Sequence, residues 1–352
     1  MKFAYTLLLI SCLSVIASGF LKDIPIFLNS EGKVDENDYK AKYPTWTDSG
    51  KKATAELATF LAGLATKYKD ASYCAVAPMK SMGSLLRKLS SDRFKVVTKL
   101  NKKYRNFEEV TDLVRSSFIV NDITKVGAVI ADLKAHYPKN IKEVNRFEDK
   151  NAHYKDANLV FLSTFTVPKT KEFTENYETD KDHKLPMEIQ VHLCGNFLAK
   201  GFAHATYEVT RLAALITKQV VKTFSEALND MGDKDGKAFA EVVADTLKLC
   251  DMMKDTKAKE DLQQWNTDRD SKLKSQEVIT SLTALGKQIY AIASKNEIQA
   301  DCKKALDAII DNKKCSYDET KFKVAAETFI RDVIGVNVSK EAETKPKAAA
   351  KQ

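Results

Sequence analysis

Three short segments concentrate the side chains that could do chemistry. In Pro78-Met79-Lys80-Ser81-Met82-Gly83-Ser84-Leu85-Leu86-Arg87-Lys88, the residues Lys80, Ser84 and Lys88 recur at a four-residue spacing. A helix there aligns two cations and a hydroxyl on one face, a surface suited to a polyphosphate, although most charge runs are simply a solvated face. In Val110-Thr111-Asp112-Leu113-Val114-Arg115-Ser116-Ser117-Phe118-Ile119-Val120 an acid heads a β-prone apolar run. An Asp at such a strand start can hold Mg²⁺ over a triphosphate. Met187-Glu188-Ile189-Gln190-Val191-His192 alternates, so Glu188, Gln190 and His192 share one strand face. A carboxylate there can bind metal or take a proton, or it can sit on a solvated sheet face.

Groups like these need a scaffold, and the rest of the sequence is consistent with one. The 352 residues are 44% hydrophobic with only 7 Pro and 12 Gly, enough for one large core or two smaller ones and favourable to helix. Apolar Ala53, Leu57, Phe60, Leu61 and Leu64 recur at helical spacing within residues 49–68. Between Tyr73 and Leu193, strand-like runs at 117–120, 158–165 and 187–192 alternate with helical stretches such as 125–136, and the polar insert 168–186 reads as a loop or hairpin tip. From Leu198 to about Val336 the pattern is helical, with segments at 203–228, 238–253, 276–294 and 327–334. The expected class is α+β: a mixed sheet flanked by helices, then an all-helical C-terminal region.

The first residues read as an export signal. Lys2 precedes an apolar run from Phe3 to Ile16, too short to span a bilayer, and Ala17 and Gly19 are small residues where a signal peptidase reads. Residues 1–19 are therefore expected to be a cleaved signal peptide, the mature protein secreted or held in a secretory lumen, with no integral membrane contact. It would keep five cysteines, of which Cys302 and Cys315, flanking a helix and a turn, are the expected bridge; at least one of the five stays free or pairs with another molecule. The net charge of +8 permits phosphate or polyanion binding and equally serves solubility. Five scattered His, no CxxC or HExxH spacing and no Gly-rich phosphate loop argue against a zinc site and a P-loop. Asn337-Val338-Ser339 is the one N-glycosylation sequon.

Read in order over roughly residues 73–211, the segments resemble the synthetase domain of the RelA/SpoT family, which moves pyrophosphate from ATP to the 3′-hydroxyl of GDP or GTP. Lys80, Ser84 and Lys88 look like its phosphate-binding segment, and Asp112 like its metal-binding acid at a central strand. Tyr154-Lys155-Asp156-Ala157-Asn158 is similar to the segment whose Tyr stacks on the acceptor guanine. Glu188-Ile189-Gln190 matches the Glu-x-Gln strand that carries the second catalytic acid, and His204 and Tyr207 match a His and an aromatic on the next helix. The resemblance implies a nucleotidyltransferase-type domain at 49–211, ATP and a purine nucleotide acceptor as partners, and catalytic Asp112 and Glu188 sharing Mg²⁺. It implies nucleotide and phosphate contacts from Lys80, Ser84, Lys88, Arg115, Tyr154, Asn158, Gln190 and His204. The chain departs from the family where Pro78, Ser117 and His192 stand at positions that often carry Arg.

A second motif lies in the helical part. From Asn266 to Glu277, oxygen donors Asn266, Asp268, Asp270 and Glu277 fall at positions 1, 3, 5 and 12 of a twelve-residue loop, as in a Ca²⁺-binding EF-hand, with Ser271 in place of the usual Gly. An upstream segment, Asn229 to Lys237, is a weaker second candidate, and ordinary acidic caps and turns explain both equally well. The expected organisation is 1–19 signal, 20–48 polar segment, 49–211 α/β domain, 212–338 helical region with an EF-hand pair and 339–352 disordered Lys/Ala tail. Three functions follow: a secreted pyrophosphotransferase tuned by Ca²⁺; a degenerate member of the same fold that binds a nucleotide, RNA or a protein target; or a helical Ca²⁺-binding interaction protein.

Overall fold

The structure, a computed structural model, describes residues 36–68, 72–79, 111–149, 154–167, 183–217, 223–225 and 237–344. The expected signal peptide, the Lys80–Lys88 segment, residues 168–182 of the polar insert, residues 229–236 of the upstream EF-hand candidate and residues 345–352 lie outside them. The chain begins with helix α1 (Glu36–Tyr68), followed by strands β1 (Ser72–Val76) and β2 (Val114–Val120), helix α2 (Val126–His136) and strands β3 (Asn140–Asn145), β4 (Asp156–Val167) and β5 (His183–Leu193). Helix α3 (Cys194–Thr217) leaves β5 without a loop. Then come α4 (Lys237–Met253), α5 (Thr256–Thr267), α6 (Lys272–Ala293) and α7 (Asn296–Asp307), a small hairpin of β6 (Ile310–Asp311) and β7 (Ser316–Tyr317), α8 (Glu319–Phe329), a π-helical turn (Ile330–Ile334) and α9 (Gly335–Thr344).

The five strands form one mixed sheet in the order β1-β2-β5-β4-β3, with β2 and β5 parallel and the other pairs antiparallel. This is the α+β arrangement expected. Period-two alternation sends successive side chains to opposite faces, and the two faces differ in chemistry. Val114, Phe118 and Val120 of β2, Ala157, Leu159 and Phe161 of β4, and Leu185, Met187, Ile189 and Val191 of β5 are all buried against Ala53, Leu57 and Leu61 of α1 and Val129 and Leu133 of α2. A Leu fully buried at such a seam stabilises by about 1.5–3 kcal/mol, which makes this apolar face the part of the sheet that fixes register.

The opposite face divides along its length. Tyr73, Ala75 and Ile119 are covered by Phe197, Leu198, Phe202 and Ala203 of α3 and belong to one apolar cluster with α4 through α8. The boundary expected at residue 211 falls inside α3, and the helices beyond it share a core with the sheet. Close approach is built in at Gly195, whose N–H donates to Gln299 Oε1 at 2.9 Å; a Cβ there would meet the Ala293 carbonyl oxygen at 2.2 Å. The hairpin β6–β7 closes the outer edge of β1. Asn312 accepts from the Cys74 N–H and donates to the Ser72 carbonyl, and the Val76 N–H donates to the Cys315 carbonyl, so edge groups that would invite another strand are satisfied.

Several expectations need correction. The bridge expected between Cys302 and Cys315 is replaced by two: Cys74–Cys315 ties β1 to the turn of the β6–β7 hairpin, and Cys194–Cys302 ties the start of α3 to α7, while Cys250 is free and buried. Residues 183–186, expected in a loop, belong to β5, because strand pairing with Leu162 and the segment at 166–167 extends the ladder. Residues 339–344, expected to be disordered, continue α9, and residues 36–48, read in the sequence only as a polar segment, belong to α1. Among the described residues no helix is long and apolar enough to cross a membrane.

Candidate active site

The polar face of the sheet gathers most of the described residues singled out above. On β5, Glu188, Gln190 and His192 point away from the apolar core. Their register neighbours on the parallel strand β2 are Arg115, Ser117 and Ile119, and those on β4 are Val160, Asn158 and Asp156. Neighbours in register stand on the same face, so Arg115 lies beside Glu188, and Ser117 and Asn158 flank Gln190. Arg115 is exposed and Glu188, Gln190, Ser117 and Asn158 are half-buried, whereas His192 and Asp156 at the other end are buried. The face is thus open at the end where β2 and β5 begin and covered by α3 and α6 at the other.

Asp112 occupies the turn just before β2, three residues ahead of Arg115, and is half-buried. It therefore sits at the same strand-entry end as Glu188. Tyr317 on β7 is close enough to Arg115 to feel its charge, which partly opposes the upward push that burial gives the Tyr317 phenol. Lys80, Ser84 and Lys88 lie outside the described residues.

A continuous hydrogen-bonded row runs along β5. Gln190 Nε2 donates to Glu188 Oε1 at 2.7 Å, His192 Nε2 lies 3.3 Å from Gln190 Oε1, and His192 Nδ1 lies 3.0 Å from the Tyr154 hydroxyl. Lys200, one and a half turns into α3, donates to the same Gln190 Oε1 at 2.5 Å and stands 6.0 Å from the centre of the Tyr154 ring. Burial pushes the His192 imidazole well below its ordinary range, with Lys200 and Arg146 adding like charge, so the ring is neutral. Burial also lowers the Lys200 ammonium, opposed by Asp156 and Glu188 and reinforced by Arg115 and Arg146. Asp156, raised by burial, is held against this by its hydrogen-bonded ion pair with Arg146.

Tyr154 is partly exposed, but its hydroxyl is committed to His192 and its ring meets the edge of Tyr290 from α6 at 5.0 Å. Burial raises the phenol well above its usual range. Asn158 Oδ1 is buried with no hydrogen-bond partner among the described residues, an acceptor left for something else. His204 is exposed on α3, stacked on Tyr207 and 3.3 Å from Glu208, which also lies 3.6 Å from Arg211. The spacing of Lys200, His204, Tyr207, Glu208 and Arg211 makes one helical stripe leading outward from the row on β5. Of these, Lys200 was not singled out in the sequence, though its position four residues before His204 is a signal that could have found it. Arg146 and Asp156 carried no such signal.

The calcium loop expected at Asn266–Glu277 is not formed. An EF-hand needs a twelve-residue loop with its exiting helix starting near the end, but α5 runs to Thr267 and α6 begins at Lys272, leaving a four-residue turn. Asn266 Oδ1 accepts from Arg269, Asp270 Oδ1 accepts from the Phe224 N–H at 2.5 Å, Asp268 lies 3.7 Å from Lys274, and Glu277 is an exposed residue of α6. Ser271 caps α6 instead, and Trp265, expected to lead into the loop, is buried with its Nε1–H on Ser275 Oγ. Among the described residues no group of three or more His, Cys, Asp or Glu could hold a metal ion. Mg²⁺ needs less: one or two carboxylates completed by substrate phosphates and water. Asp112 and Glu188 supply hard oxygen donors at one end of a strand pair, and no partner for Glu188 Oε2 is found among the described residues, so the donor set fits that ion.

No family model matches the chain, and no curated protein matches it. Solved structures similar to it include the small alarmone synthetase 1 from Bacillus subtilis, 14% identical with a TM-score of 0.35, covering 60% of this chain and 98% of that one. The same enzyme bound to its product pppGpp is 13% identical with a TM-score of 0.34, covering 59% and 98%. A GTP pyrophosphokinase family protein from Streptococcus pneumoniae is 14% identical with a TM-score of 0.33, covering 67% and 97%. Likeness at this level decides nothing about activity, which has to be read from the residues.

Proposed function

We propose that the protein is a nucleotide pyrophosphotransferase of RelA/SpoT type, using ATP as donor and the 3′-hydroxyl of a purine nucleotide as acceptor. The observation that carries this is the register of Arg115 with Glu188: a guanidinium and a carboxylate side by side on the open end of a polar sheet face. Arg115 offsets phosphate charge, a role in which preorganised cations lower the barrier most. Glu188 accepts the proton of the attacking 3′-hydroxyl while the new bond forms from that oxygen to the β-phosphorus of ATP. The bond from the β-phosphorus to the bridging α,β-oxygen breaks, and AMP leaves with the electron pair. The exposed part of the Tyr154 ring stacks on the acceptor base. Mg²⁺ held by Asp112 and Glu188 would neutralise phosphate charge.

Two bridges among the described cysteines support an oxidising compartment, in keeping with the signal peptide expected at residues 1–19. One observation favours a second reading, a nucleotide-binding module without catalysis. His192 stands where a cation is expected, and it is buried and neutral, so it gives no charge to the phosphates. Incubating the mature protein with ATP labelled in its β-phosphate, Mg²⁺ and a panel of purine nucleotides separates the two: transfer supports the enzyme, and nucleotide binding without transfer supports the module.

A further inference from the structure

We propose that Lys200 is a positioning residue that fixes the direction of every hydrogen bond in the row Tyr154–His192–Gln190–Glu188, so that the row always ends as a donor on the Glu188 side chain. The inference rests on the reading of Glu188 as the base, and it follows from what each group can give or take.

An ammonium only donates, so the Gln190 atom 2.5 Å from Lys200 Nζ must be the amide oxygen. The amide nitrogen is then the atom facing Glu188, donating at 2.7 Å. The amide oxygen only accepts, so His192 Nε2, 3.3 Å away, must carry its proton. His192 is enclosed and neutral, which leaves Nδ1 bare to accept from the Tyr154 hydroxyl at 3.0 Å. Amide orientation and imidazole tautomer, ordinarily assigned by the surrounding network, are here set by one cation. The four bonds point the same way and polarise one another toward Glu188.

The ionised Glu188 also favours this orientation, because a carboxylate cannot face an amide oxygen. Once Glu188 has taken a proton its hydroxyl would favour the reverse, with the amide flipped and the tautomer exchanged. Lys200 blocks the flip, because it would turn an N–H₂ against an ammonium. The consequence is a base whose Oε1 is tied by the same donor before and after proton transfer, leaving Oε2 to work on the substrate.

The test uses the full-length mature protein labelled with ¹⁵N-histidine, in which the ring shifts of His192 report its tautomer without any need for turnover. The wild type and Glu188→Gln, which keeps Lys200, are expected to hold His192 as the Nε2–H form, and the double variant Lys200→Met/Glu188→Gln to show a mixture. A change of tautomer in Glu188→Gln alone, or an unchanged tautomer in the double variant, overturns the proposal. In steady-state assays Lys200→Met is expected to lower kcat roughly ten- to a hundredfold with KM unchanged, as loss of a supporting partner does, and Lys200→Arg to restore most of it. A rise in KM alone would make Lys200 a substrate-binding cation and overturn the positioning role. If the wild type transfers nothing, the reading of Glu188 as base fails, and the tautomer result still decides what Lys200 does.

Discussion

Arg115 and Glu188 are in register on adjacent parallel strands, side by side on the one face of the sheet that is polar. Their neighbours in sequence, Val114 and Ile189, are buried in the apolar layer on the other side, so the strand that anchors the core also aims the acid and the cation. Replacing Arg115 with Ala is expected to lower kcat/KM by about 10²–10³, the usual cost of removing one group that stabilises developing charge. Arg115→Lys should recover only part of it, because an ammonium lacks the guanidinium fork. Steady-state kinetics with varied ATP checks both.

His192 gives the stability of the fold an acid-side limit. Its folded-state pKa lies well below the ordinary value of 6.5, because burial penalises the imidazolium. The unfolded chain therefore binds a proton that the folded chain refuses, so stability is complete above about pH 6.5 and falls as the pH drops below it, by up to about 1.4 kcal/mol per pH unit from this one group. Urea unfolding between about pH 7.5 and 5, a range that brackets the ordinary imidazole value, should show the slope in the wild type and a shallower one in His192→Asn.

Glycine is required at one position and dispensable at another. Gly195→Ala places a Cβ 2.2 Å from the Ala293 carbonyl oxygen, a backbone atom that cannot swing away, and should cost about 1–3 kcal/mol or more by overpacking. Gly63, exposed in α1 with nothing within 4 Å of a Cβ, should instead gain about 0.5–1 kcal/mol as Ala. Opposite shifts of the denaturation midpoint are the check.

The two disulfides join residues 241 and 108 apart in sequence, so each restrains a long loop of the unfolded chain. Paired substitution to Ala at Cys74 and Cys315, or at Cys194 and Cys302, is expected to cost about 2–5 kcal/mol each. The Cys74–Cys315 loss should also expose the β1 edge to faster amide exchange, because the hairpin that satisfies it is no longer tethered.

What could be read in the sequence followed from strict periodicity. The alternation of residues 187–192 gave the shared face of Glu188, Gln190 and His192, and the helical spacing of Ala53, Leu57, Leu61 and Leu64 gave the buried side of α1. Strands β1 and β3, five and six residues long at the two edges of the sheet, carry too few alternations to stand out. The pairing of cysteines depends on which helix lies over which strand, and that is decided by contacts far apart in sequence. Asn266, Asp268 and Asp270 looked like metal ligands because the residues that cap and turn a chain are the same small oxygen donors. Lys200 acquires its meaning only once α3 is laid over the polar face, when an ordinary helical lysine comes to face a strand amide.

The central claim is that Glu188 takes the acceptor's proton during transfer of pyrophosphate from ATP. Its most direct test is the rate of transfer of label from the β-phosphate of ATP to a purine nucleotide, with Mg²⁺, in the wild type and in Glu188→Gln. The account predicts transfer to the 3′-oxygen by the wild type and a loss of about 10²–10⁴-fold in kcat in the variant, which keeps the hydrogen bond from Gln190 but cannot accept a proton. Equal rates in the two proteins, or no transfer by the wild type to any acceptor, would contradict it.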